Sequence, residues 1–410
     1  MTTSSAHSYP FGETVALEVD PVLLRLAREE PLSRIALPYG GEAWLATRYA
    51  DVKTVYSDRR FSRSATVGAD VPRLRPDITG DSSSILDMDP PEHTRLRKLV
   101  SEAFSTRRIA ALRPRIAALT AELLAGLRAA GPGADLVEHL PMPLPVMIIC
   151  EILGVPVQDR HIFRRCTDTL LSTTGYTPEE RAAARTELVT YMAGLVARRR
   201  AIPTDDLLGA LVTARDEGER LTEKELISIA ITVLGAGHET TMNQISNIAY
   251  LLLTRPDHGE ELRRSVLAES TPENSAGVAL TRAIEELLRF TMLGATEGLP
   301  RIALEDVELS GTTVRAGEAV FGSLQMANRD LAVFPTPHEL TLDRTENRHL
   351  AFGFGPHHCL GAQLARMELQ EAVGGLLREF PNLRIGVAPH DIEWRTGANI
   401  RGPKRLPLTW

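Results

Sequence analysis

The stretch Phe352-Gly-Phe-Gly-Pro-His-His-Cys359-Leu-Gly361 decides how this sequence is interpreted. It stands directly before a helical pattern that runs from about Leu360 to Glu379. The glycines at 353, 355 and 361 permit a tight backbone and a close approach to a bulky group. A helix beginning just after Cys359 presents N–H groups and the positive end of its dipole to the sulfur, which favours a thiolate. The segment therefore predicts a ligating or reactive cysteine.

Three other interpretations of Cys359 remain open at this point. A buried cysteine is more often inert packing than a ligand, although the surrounding glycines count against that. A zinc site would need further ligands, and no second cysteine lies at metal-ligand spacing. A cysteine protease would need a base held against the sulfur, and His357 or His358 could nominally serve.

The cysteine segment resembles the haem signature of the cytochrome P450 family. That signature reads Phe, two residues, Gly, one residue, a basic residue, one residue, Cys, one residue, Gly. The positions are filled in order by Phe352, Gly355, His357, Cys359 and Gly361. The resemblance implies that Cys359 is the thiolate ligand of the iron of heme b, which favours O–O cleavage. Phe352 and His357 would contact the haem, with His357 standing where many members carry Arg.

The predicted helix Thr281–Phe290 carries Glu286 and Arg289, whose i, i+3 spacing places both charges on one face. Surface pairs of this kind are common, so the pair alone indicates little. P450 proteins have such a pair at this distance before the cysteine, and it bonds an arginine of the coil that follows. The resemblance assigns that arginine to Arg344 and implies a structural network rather than a catalytic one.

The predicted long central helix contains Ala236-Gly-His-Glu-Thr-Thr241. A glycine and a carboxylate in an apolar helix are costly, and such violations are expected mainly at functional sites. The segment resembles the oxygen-activation segment of P450 enzymes. Gly237 would then open room beside the haem, and Glu239 and Thr240 would be the catalytic acid–alcohol pair that delivers protons to dioxygen. The alternative for Thr240 is a hydroxyl bonded back to its own helix.

Haem propionates are anions and need cationic donors. The positions where the family places such donors are occupied by His93, Arg97, Arg301 and His349. Each of them alone is more often a solvated charge. The order in which they occur along the chain favours a shared role in binding the cofactor.

The family's layout also implies a substrate pocket, lined by the irregular Phe61–Leu86 loop, the helical pair Asp159–Arg200, the central helix, the segment Leu293–Glu297 and Asn399–Ile400. The residues assigned to its wall are Leu86, Leu234, Ala236, Leu293, Ala295 and Ile400. They are apolar, which predicts a lipophilic substrate. A macrolide or other polyketide-type secondary metabolite is the first expectation, to be hydroxylated or epoxidised with O2.

Electrons would come from a ferredoxin and its reductase, because the sequence shows no flavin domain and no cysteine cluster for an iron–sulfur centre. The basic residues expected near the cysteine side, where they would steer an acidic partner, are Arg95, Lys98, Arg107, Arg108 and Arg366.

Composition limits the class of protein. The chain has 410 residues, of which 43% are hydrophobic and 24% charged, and its formal net charge is −7. An acidic balance argues against a general nucleic-acid binder. Three cysteines give no disulfide framework, and the first ten residues lack the features of a signal peptide. The most apolar stretch, Leu226–Thr254, is interrupted by polar residues, so no membrane span is expected. These features predict a soluble, cytoplasmic protein.

The periodicity predicts a single domain over 1–410 that is mainly α with a smaller β-rich part. Strands are expected at Ser33–Leu37 and Ala43–Thr47, joined by the turn Pro38–Gly41, and a strand-rich part at Ile302–Phe321. The expected helices are Pro21–Glu30, Pro90–Phe104, Ile109–Ala130, Leu144–Leu153, Asp159–Leu171, Glu179–Arg200, Leu221–Leu253, Thr281–Phe290 and Leu360–Glu379. Thr222 and Glu225 predict a capping box. By the resemblance, the fold is that of P450, with haem between the central helix and the cysteine-loop helix.

Two other functional classes stay open. One is a haem-thiolate protein without monooxygenase turnover, such as a peroxygenase or a nitric-oxide reductase, which the pair Glu239 and Thr240 speaks against. The other is a non-catalytic haem protein that acts as a sensor or recruits a carrier protein. A helical protein without haem would require every motif match to be accidental.

Overall fold

A computed structural model describes residues 6–12, 16–76, 80–172, 175–216, 220–269, 276–291, 293–295 and 297–410. Four sequence expectations include residues outside these ranges: the comparison of the first ten residues with a signal peptide (1–5), the Phe61–Leu86 loop (77–79), the helical pair Asp159–Arg200 (173–174) and the pocket segment Leu293–Glu297 (Thr296). The helices in chain order are α1 (Pro21–Glu29), α2 (Tyr49–Ser57), α3 (Glu92–Ser101), α4 (Thr106–Ala130), α5 (Leu136–His139), α6 (Pro143–Leu153), α7 (Arg160–Leu171), α8 (Pro178–Ala201), α9 (Leu207–Asp216), α10 (Glu223–Leu253), α11 (Pro256–Glu269), α12 (Gly277–Phe290), α13 (Leu324–Ala327) and α14 (Ala362–Glu379).

The strands form a smaller part of the fold. They are β1 (His7–Ser8), β2 (Leu32–Ala36), β3 (Glu42–Ala46), β4 (Phe61–Ser62), β5 (Arg301–Ala303), β6 (Val307–Leu309), β7 (Thr312–Val314), β8 (Ala319–Gly322), β9 (Arg384–Ile385) and β10 (Leu408–Thr409). Six of them make one mixed sheet in the order β1-β2-β3-β8-β5-β4, and β6-β7 and β9-β10 pair separately. The mainly helical architecture with a smaller sheet is the one that the sequence predicts.

The hairpin predicted around Pro38–Gly41 is confirmed. Strands β2 and β3 pair antiparallel with Leu32 opposite Ala46 and Ala36 opposite Glu42. Gly40 and Gly41 both have positive φ, 73° and 86°, which glycine adopts without the steric cost of a Cβ. The turn therefore depends on the two glycines that suggested it.

The long helix α10 runs through the core, as its all-round apolar sequence predicts. Its capping box is present, with the Thr222 hydroxyl accepting from the Glu225 N–H and the Glu225 carboxylate accepting from the Thr222 N–H. It packs with α6, α8 and α9 and with α11 and α14. This central position places the middle of α10 opposite the start of α14.

One stretch, Leu136–Leu153, has the length and composition of a membrane-spanning helix. It is not the stretch Leu226–Thr254 that the sequence singled out. A turn divides it into α5 and α6, and 61% of it is buried inside the protein. Leu144 and Ile148 belong to the main hydrophobic cluster, so this stretch is core.

Candidate active site

A cavity of about 1130 Å³ lies between α10 and the segment that precedes α14. It exceeds the roughly 300–1,000 Å³ of ordinary ligand sites. Its wall is mostly apolar and includes parts of the loop after β4, of α10, of the segment 293–300 and of Asn399–Ile400. Both conspicuous motifs of the sequence, the cysteine segment and the middle of α10, face this one space.

Cys359 is exposed into the cavity. A short 3-10 turn, Gly355–His357, and a hydrogen bond from the Cys359 N–H to the Phe352 carbonyl oxygen (2.8 Å) fold the loop back on itself. Burial raises the pKa of the thiol, while the Gly361 N–H and the charges of Arg97 and Arg366 lower it. The donor and the two cations are the groups that stabilise a thiolate once a metal replaces its proton.

A cluster of cationic and potentially cationic groups lies at one side of the cavity. The ring of His357 is 4.3 Å from that of His93, centroid to centroid, and Arg97 donates to the His358 carbonyl oxygen at 2.6 Å. Burial lowers the pKa of His357 to about 3, with further lowering by His93, Arg301 and Arg63. Burial and Arg97 also lower the pKa of His93. In their protonated forms these histidines would repel each other and the neighbouring arginines, and an anion between them would relieve that repulsion.

This arrangement fits a haem. The site offers a sulfur facing a large apolar space, cationic donors beside it, and a glycine-containing helix on the opposite wall. The described residues contain no group of three or more His, Cys, Asp or Glu side chains suited to a metal ion held without a cofactor. His93, Arg97, Phe352 and His357 all line the cavity.

Arg301 and His349 do not line the cavity. The Arg301 guanidinium lies 4.2 Å from the ring centroid of Tyr56, and Tyr56 lines the cavity. His349 is buried, with Nε2 3.1 Å from Glu285 Oε2, and Arg366 Nε donates to the other Glu285 oxygen at 2.7 Å. The ring of His349 is thus held by Glu285 on α12, and its contact with a propionate stays a prediction.

Arg63 is a cation of the cavity wall that was not predicted from the sequence. It lines the cavity beside the cationic cluster and is almost fully buried. Its guanidinium pairs with Asp87 and donates to the Pro300 and Leu86 carbonyl oxygens. No motif marks it, since its partners are brought together only by the fold.

The middle of α10 forms the wall opposite Cys359, where Ala236, Gly237 and Thr240 line the cavity. The Thr240 hydroxyl donates to the Ala236 carbonyl oxygen at 2.6 Å, which is the back-bonded form that the sequence left open. A Cβ built on Gly237 would meet the Ile149 side chain of α6 at 3.0 Å. The glycine therefore lets α10 approach α6 closely, which is a different reason from the expected room beside a haem.

Glu239 points away from the cavity. It is 3% exposed and accepts from Arg395 Nη1 at 3.1 Å and from Asn243 Nδ2 at 2.9 Å. Arg395 lies in the C-terminal segment and is also 3.8 Å from Asp168 of α7. The predicted acid and alcohol are thus adjacent in sequence but face different neighbours.

Glu286, Arg289 and Arg344 lie together, fully or almost fully buried. Arg289 donates to Glu286 through Nε and Nη2, both at 2.7 Å, and Arg344 Nε donates at 3.0 Å. The same carboxylate accepts from the Thr341 N–H and from Asn347 Nδ2. These bonds tie α12 to the coil before the cysteine segment, and none of the three residues itself lines the cavity.

The expected substrate residues separate into two groups. Leu86, Ala236, Leu293 and Ile400 line the cavity, whereas Leu234 and Ala295 do not. Leu234 precedes Ala236 by two residues, about 200° around the helix, so it packs into the core with α6 and α8. Ala295 is held by its N–H, which donates to the Asn399 carbonyl oxygen at 2.9 Å.

Two further polar residues on the cavity wall were not predicted. Gln244 lies one helical turn after Thr240, and Glu368 lies on α14; both are nearly fully buried. Neither amide atom of Gln244 has a hydrogen-bond partner within the protein, and neither does Glu368 Oε1. The i, i+4 spacing from Thr240 would have identified Gln244 from the sequence.

Comparison with known proteins agrees with this site. A family model described as cytochrome P450 matches residues 164–404. The chain is 48% identical over 411 residues to nocardicin C N-oxygenase of Nocardia uniformis subsp. tsuyamanensis, and 46% identical over 410 residues to mycinamicin IV hydroxylase/epoxidase of Micromonospora griseorubida. Both alignments cover 100% of each chain.

Solved structures give the same result. The crystal structure of HinD with NMFT and NO superposes with a TM-score of 0.93 at 44% identity, covering 100% of both chains. The LnmA cytochrome P450 hydroxylase of Streptomyces atroolivaceus S-140 has a TM-score of 0.89 at 50% identity, covering 99% of this chain and 100% of that one. With its cysteine facing the cavity and full-length relatives at this identity, the chain belongs to the cytochrome P450 family.

Proposed function

We propose that this P450 is a haem-thiolate monooxygenase that inserts one oxygen atom from O2 into a lipophilic small molecule, by hydroxylation or epoxidation. The observation that carries the proposal is the position of Cys359, whose sulfur shares one apolar cavity with Thr240 of α10. A single domain, 1–410, would contain the whole site. The enzyme would work in the cytoplasm.

The family uses a haem-thiolate iron cofactor, and we propose heme b. Cys359 would ligate the iron, and the bound haem would supply the reductive activation of O2. The residues proposed to hold the propionates are His93, Arg97 and His357, which face the cavity as a cluster of donors. Phe352 would pack against the haem. The guanidinium carbon of Arg366 lies 4.5 Å from the centroid of the Phe352 ring. Arg301 packs against the ring of Tyr56, and its positive charge acts on His357 of this cluster.

Thr240 and Glu239 are the residues proposed to deliver protons. The Thr240 O–H is engaged with the Ala236 carbonyl oxygen, so the lone pairs of its oxygen remain to accept from a group in the cavity. Glu239 is held by Arg395 and Asn243 in one conformation behind the wall. In this arrangement Thr240 orients a proton carrier, and Glu239 resupplies it.

The substrate proposed is a macrolide or a related secondary metabolite. P450 enzymes act on small molecules, and the wall here is largely apolar. The relatives are named for oxygenation of nocardicin C and of mycinamicin IV. Leu86, Ala236, Leu293 and Ile400 would contact the substrate.

Electrons are proposed to come from a ferredoxin and its reductase. Of the basic residues expected to steer this partner, three are paired within the chain: Arg95 with Glu225, Arg108 with Asp205 and Arg366 with Glu285. Lys98 and Arg107 are exposed, and docking would rest mainly on them. Lys98→Glu together with Arg107→Glu should slow reduction by ferredoxin but leave reduction by dithionite unchanged.

The deciding experiment is the spectrum of the dithionite-reduced protein under carbon monoxide. The wild type and the control Cys166→Ala should give the red-shifted Soret band of a thiolate-ligated haem, and Cys359→Ala should lose it. Turnover is then tested with a surrogate ferredoxin and reductase, O2 and mycinamicin IV or nocardicin C. A histidine-type band would contradict thiolate ligation. Turnover with peroxide alone would instead indicate a peroxygenase, and no turnover of any candidate would favour a sensor or recruitment role.

A further inference from the structure

Two cations on the cavity wall hold one carboxylate between them. Asp81 lies in the loop after β4, Arg185 on α8 and Lys224 at the start of α10, and all three line the cavity. Arg185 Nη2 donates to Asp81 Oδ2. Lys224 Nζ lies 3.4 Å from the other oxygen, Asp81 Oδ1. Arg185 and Lys224, which we call the carboxylate clamp, are therefore already spaced to hold the two oxygens of one carboxylate.

The loop itself also holds the carboxylate that now lies in the clamp. The Ser83 N–H and hydroxyl donate to Asp81 Oδ1 at 2.9 and 2.6 Å. The Asp81 N–H donates to Asp87 Oδ2 at 3.0 Å. Among the residues that the structure describes, Asp81 is the only carboxylate paired with Arg185 or Lys224. Asp81 thus has partners of its own if another carboxylate takes its place between the two cations.

The clamp carries surplus positive charge. Two cations face one carboxylate there, although the whole chain has a net charge of −7. The side chains of Arg185 and Lys224 are 60% and 72% exposed. Both cations therefore stay hydrated, and an exposed ion pair of this kind is weak enough to be exchanged for another. This end of the cavity favours an anion.

The clamp lies far from the wall that faces Cys359. Lys224 and Thr240 are on the same helix, and both line the cavity. At ~1.5 Å per residue their backbones are about 24 Å apart along α10. Between them the helix contributes mostly apolar residues to the wall, among them Ile227 and Ile231. The cavity thus has a cationic end joined by an apolar passage to Thr240, which matches a long molecule with an acidic group at one end.

We propose that Arg185 and Lys224 bind a carboxylate at one end of the substrate, and that the substrates are elongated lipophilic acids. The inference deepens the proposed monooxygenase function and rests on it. The substrate carboxylate replaces Asp81 at the two cations, while Asp81 keeps its bonds to Ser83. The carbon atoms farthest from the carboxylate then lie nearest to Thr240 and Cys359. The acid group orients the substrate and is not itself oxidised.

The first test is isothermal titration calorimetry of the haem-loaded protein with decanoate and with decanol. The readout is the selectivity ratio, the Kd of decanol divided by that of decanoate, because a change in cavity shape alters both Kd values. Arg185→Gln and Lys224→Gln should each lower the ratio by about two- to fivefold, the contribution of one exposed ion pair. Asp81→Asn should raise it, because the competing carboxylate is removed.

The matched control is Arg200→Gln. Arg200 lies on the same helix as Arg185 and also holds carboxylates, those of Asp216 and Glu223, but it does not line the cavity. Its substitution should leave the selectivity ratio at the wild-type value. Added salt should lower the ratio of the wild type, because it screens exposed charges, and should have little effect on the ratio of the double variant Arg185→Gln, Lys224→Gln.

Three results of the calorimetry would overturn the proposal. If Arg185→Gln and Lys224→Gln change the two Kd values by the same factor, the clamp only fastens the loop over the cavity. A lower ratio in Asp81→Asn would contradict the replacement of Asp81 by the ligand. Decyl phosphate bound in preference to decanoate would assign the clamp to a phosphate instead of a carboxylate.

The second test identifies the products from hexadecanoate with a surrogate ferredoxin, its reductase and O2. We expect hydroxylation in the half of the chain remote from the carboxylate, with a wider spread of positions in Arg185→Gln. Wild-type hydroxylation next to the carboxylate would refute the orientation. Loss of the thiolate spectrum, or no oxidation of any compound, refutes the monooxygenase function instead, and the calorimetric ratio still decides whether the clamp binds an acid.

Discussion

Glu368 makes the stability of this protein depend on pH. It lies on α14 at the cavity wall, is 2% exposed, and its Oε1 has no hydrogen-bond partner. Burial raises its pKa from 4.5 to about 8. The folded protein therefore binds a proton that the unfolded chain releases, so this stabilisation is complete below pH 4.5 and is lost as the pH rises through 8.

The magnitude follows from the shift. A difference of about 3.5 pKa units at ~1.4 kcal/mol per unit gives at most about 5 kcal/mol. An unfolding entropy of ~2 cal/mol/K per residue converts this into roughly 1 °C of Tm per kcal/mol for a chain of this length. Between pH 5 and pH 9, the Tm of the wild type should fall relative to that of Glu368→Gln by up to about 5 °C.

The assay is thermal unfolding followed by circular dichroism across this pH range, with both proteins loaded with haem. Comparing the two proteins cancels the pH dependence of every other group. Glu379→Gln, at the exposed end of the same helix, is the control and should run parallel to wild type. If the Glu368→Gln curve also runs parallel to wild type, Glu368 is hydrated in the folded protein and the reasoning from its burial is refuted.

Two further substitutions test packing around the site. Glu286→Gln leaves the buried charges of Arg289 and Arg344 without their carboxylate and should cost about 3–5 kcal/mol of unfolding free energy; a Tm within 1 °C of wild type would contradict it. Gly237→Ala places a Cβ 3.0 Å from Ile149 and should cost about 1–3 kcal/mol through overpacking. Ile149→Val in the same chain should recover part of that loss, and a loss unaffected by Ile149→Val would show that the contact is not its cause.

The sequence predicted the elements whose signals are local. The hairpin at Pro38–Gly41 and the capping box of α10 need only neighbouring residues, and the structure confirms both. Helices such as α9 and α11 were missed. Their apolar positions make sense only against α6, α8 and α12, which the sequence does not place beside them.

The site shows the same division between local and distant information. The position of Cys359 before a helix is a local property, and it led to the cavity. The partner that the structure gives His349, Glu285, could not be read from the sequence because it is 64 residues away along the chain. Arg395 and Asp168 carry no motif, and their relation to Glu239 arises only when α7, α10 and the C-terminal segment are folded together.

The middle of α10 contacts three neighbours on different faces: the cavity, Arg395 and, at Gly237, Ile149 of α6. Ala236, Thr240 and Gln244 recur every four residues and face the cavity, as i, i+4 spacing requires. Glu239 and Asn243 form a second row, one residue earlier, in which Glu239 accepts from Arg395 and Asn243 donates to Glu239. The helix keeps a fixed angle between these rows. We therefore expect a substitution in the cavity row to alter substrate contact and one in the Glu239 row to alter proton supply. The costly glycine and carboxylate of α10 are thus explained by neighbours on different sides, and only Thr240 needs the cavity itself.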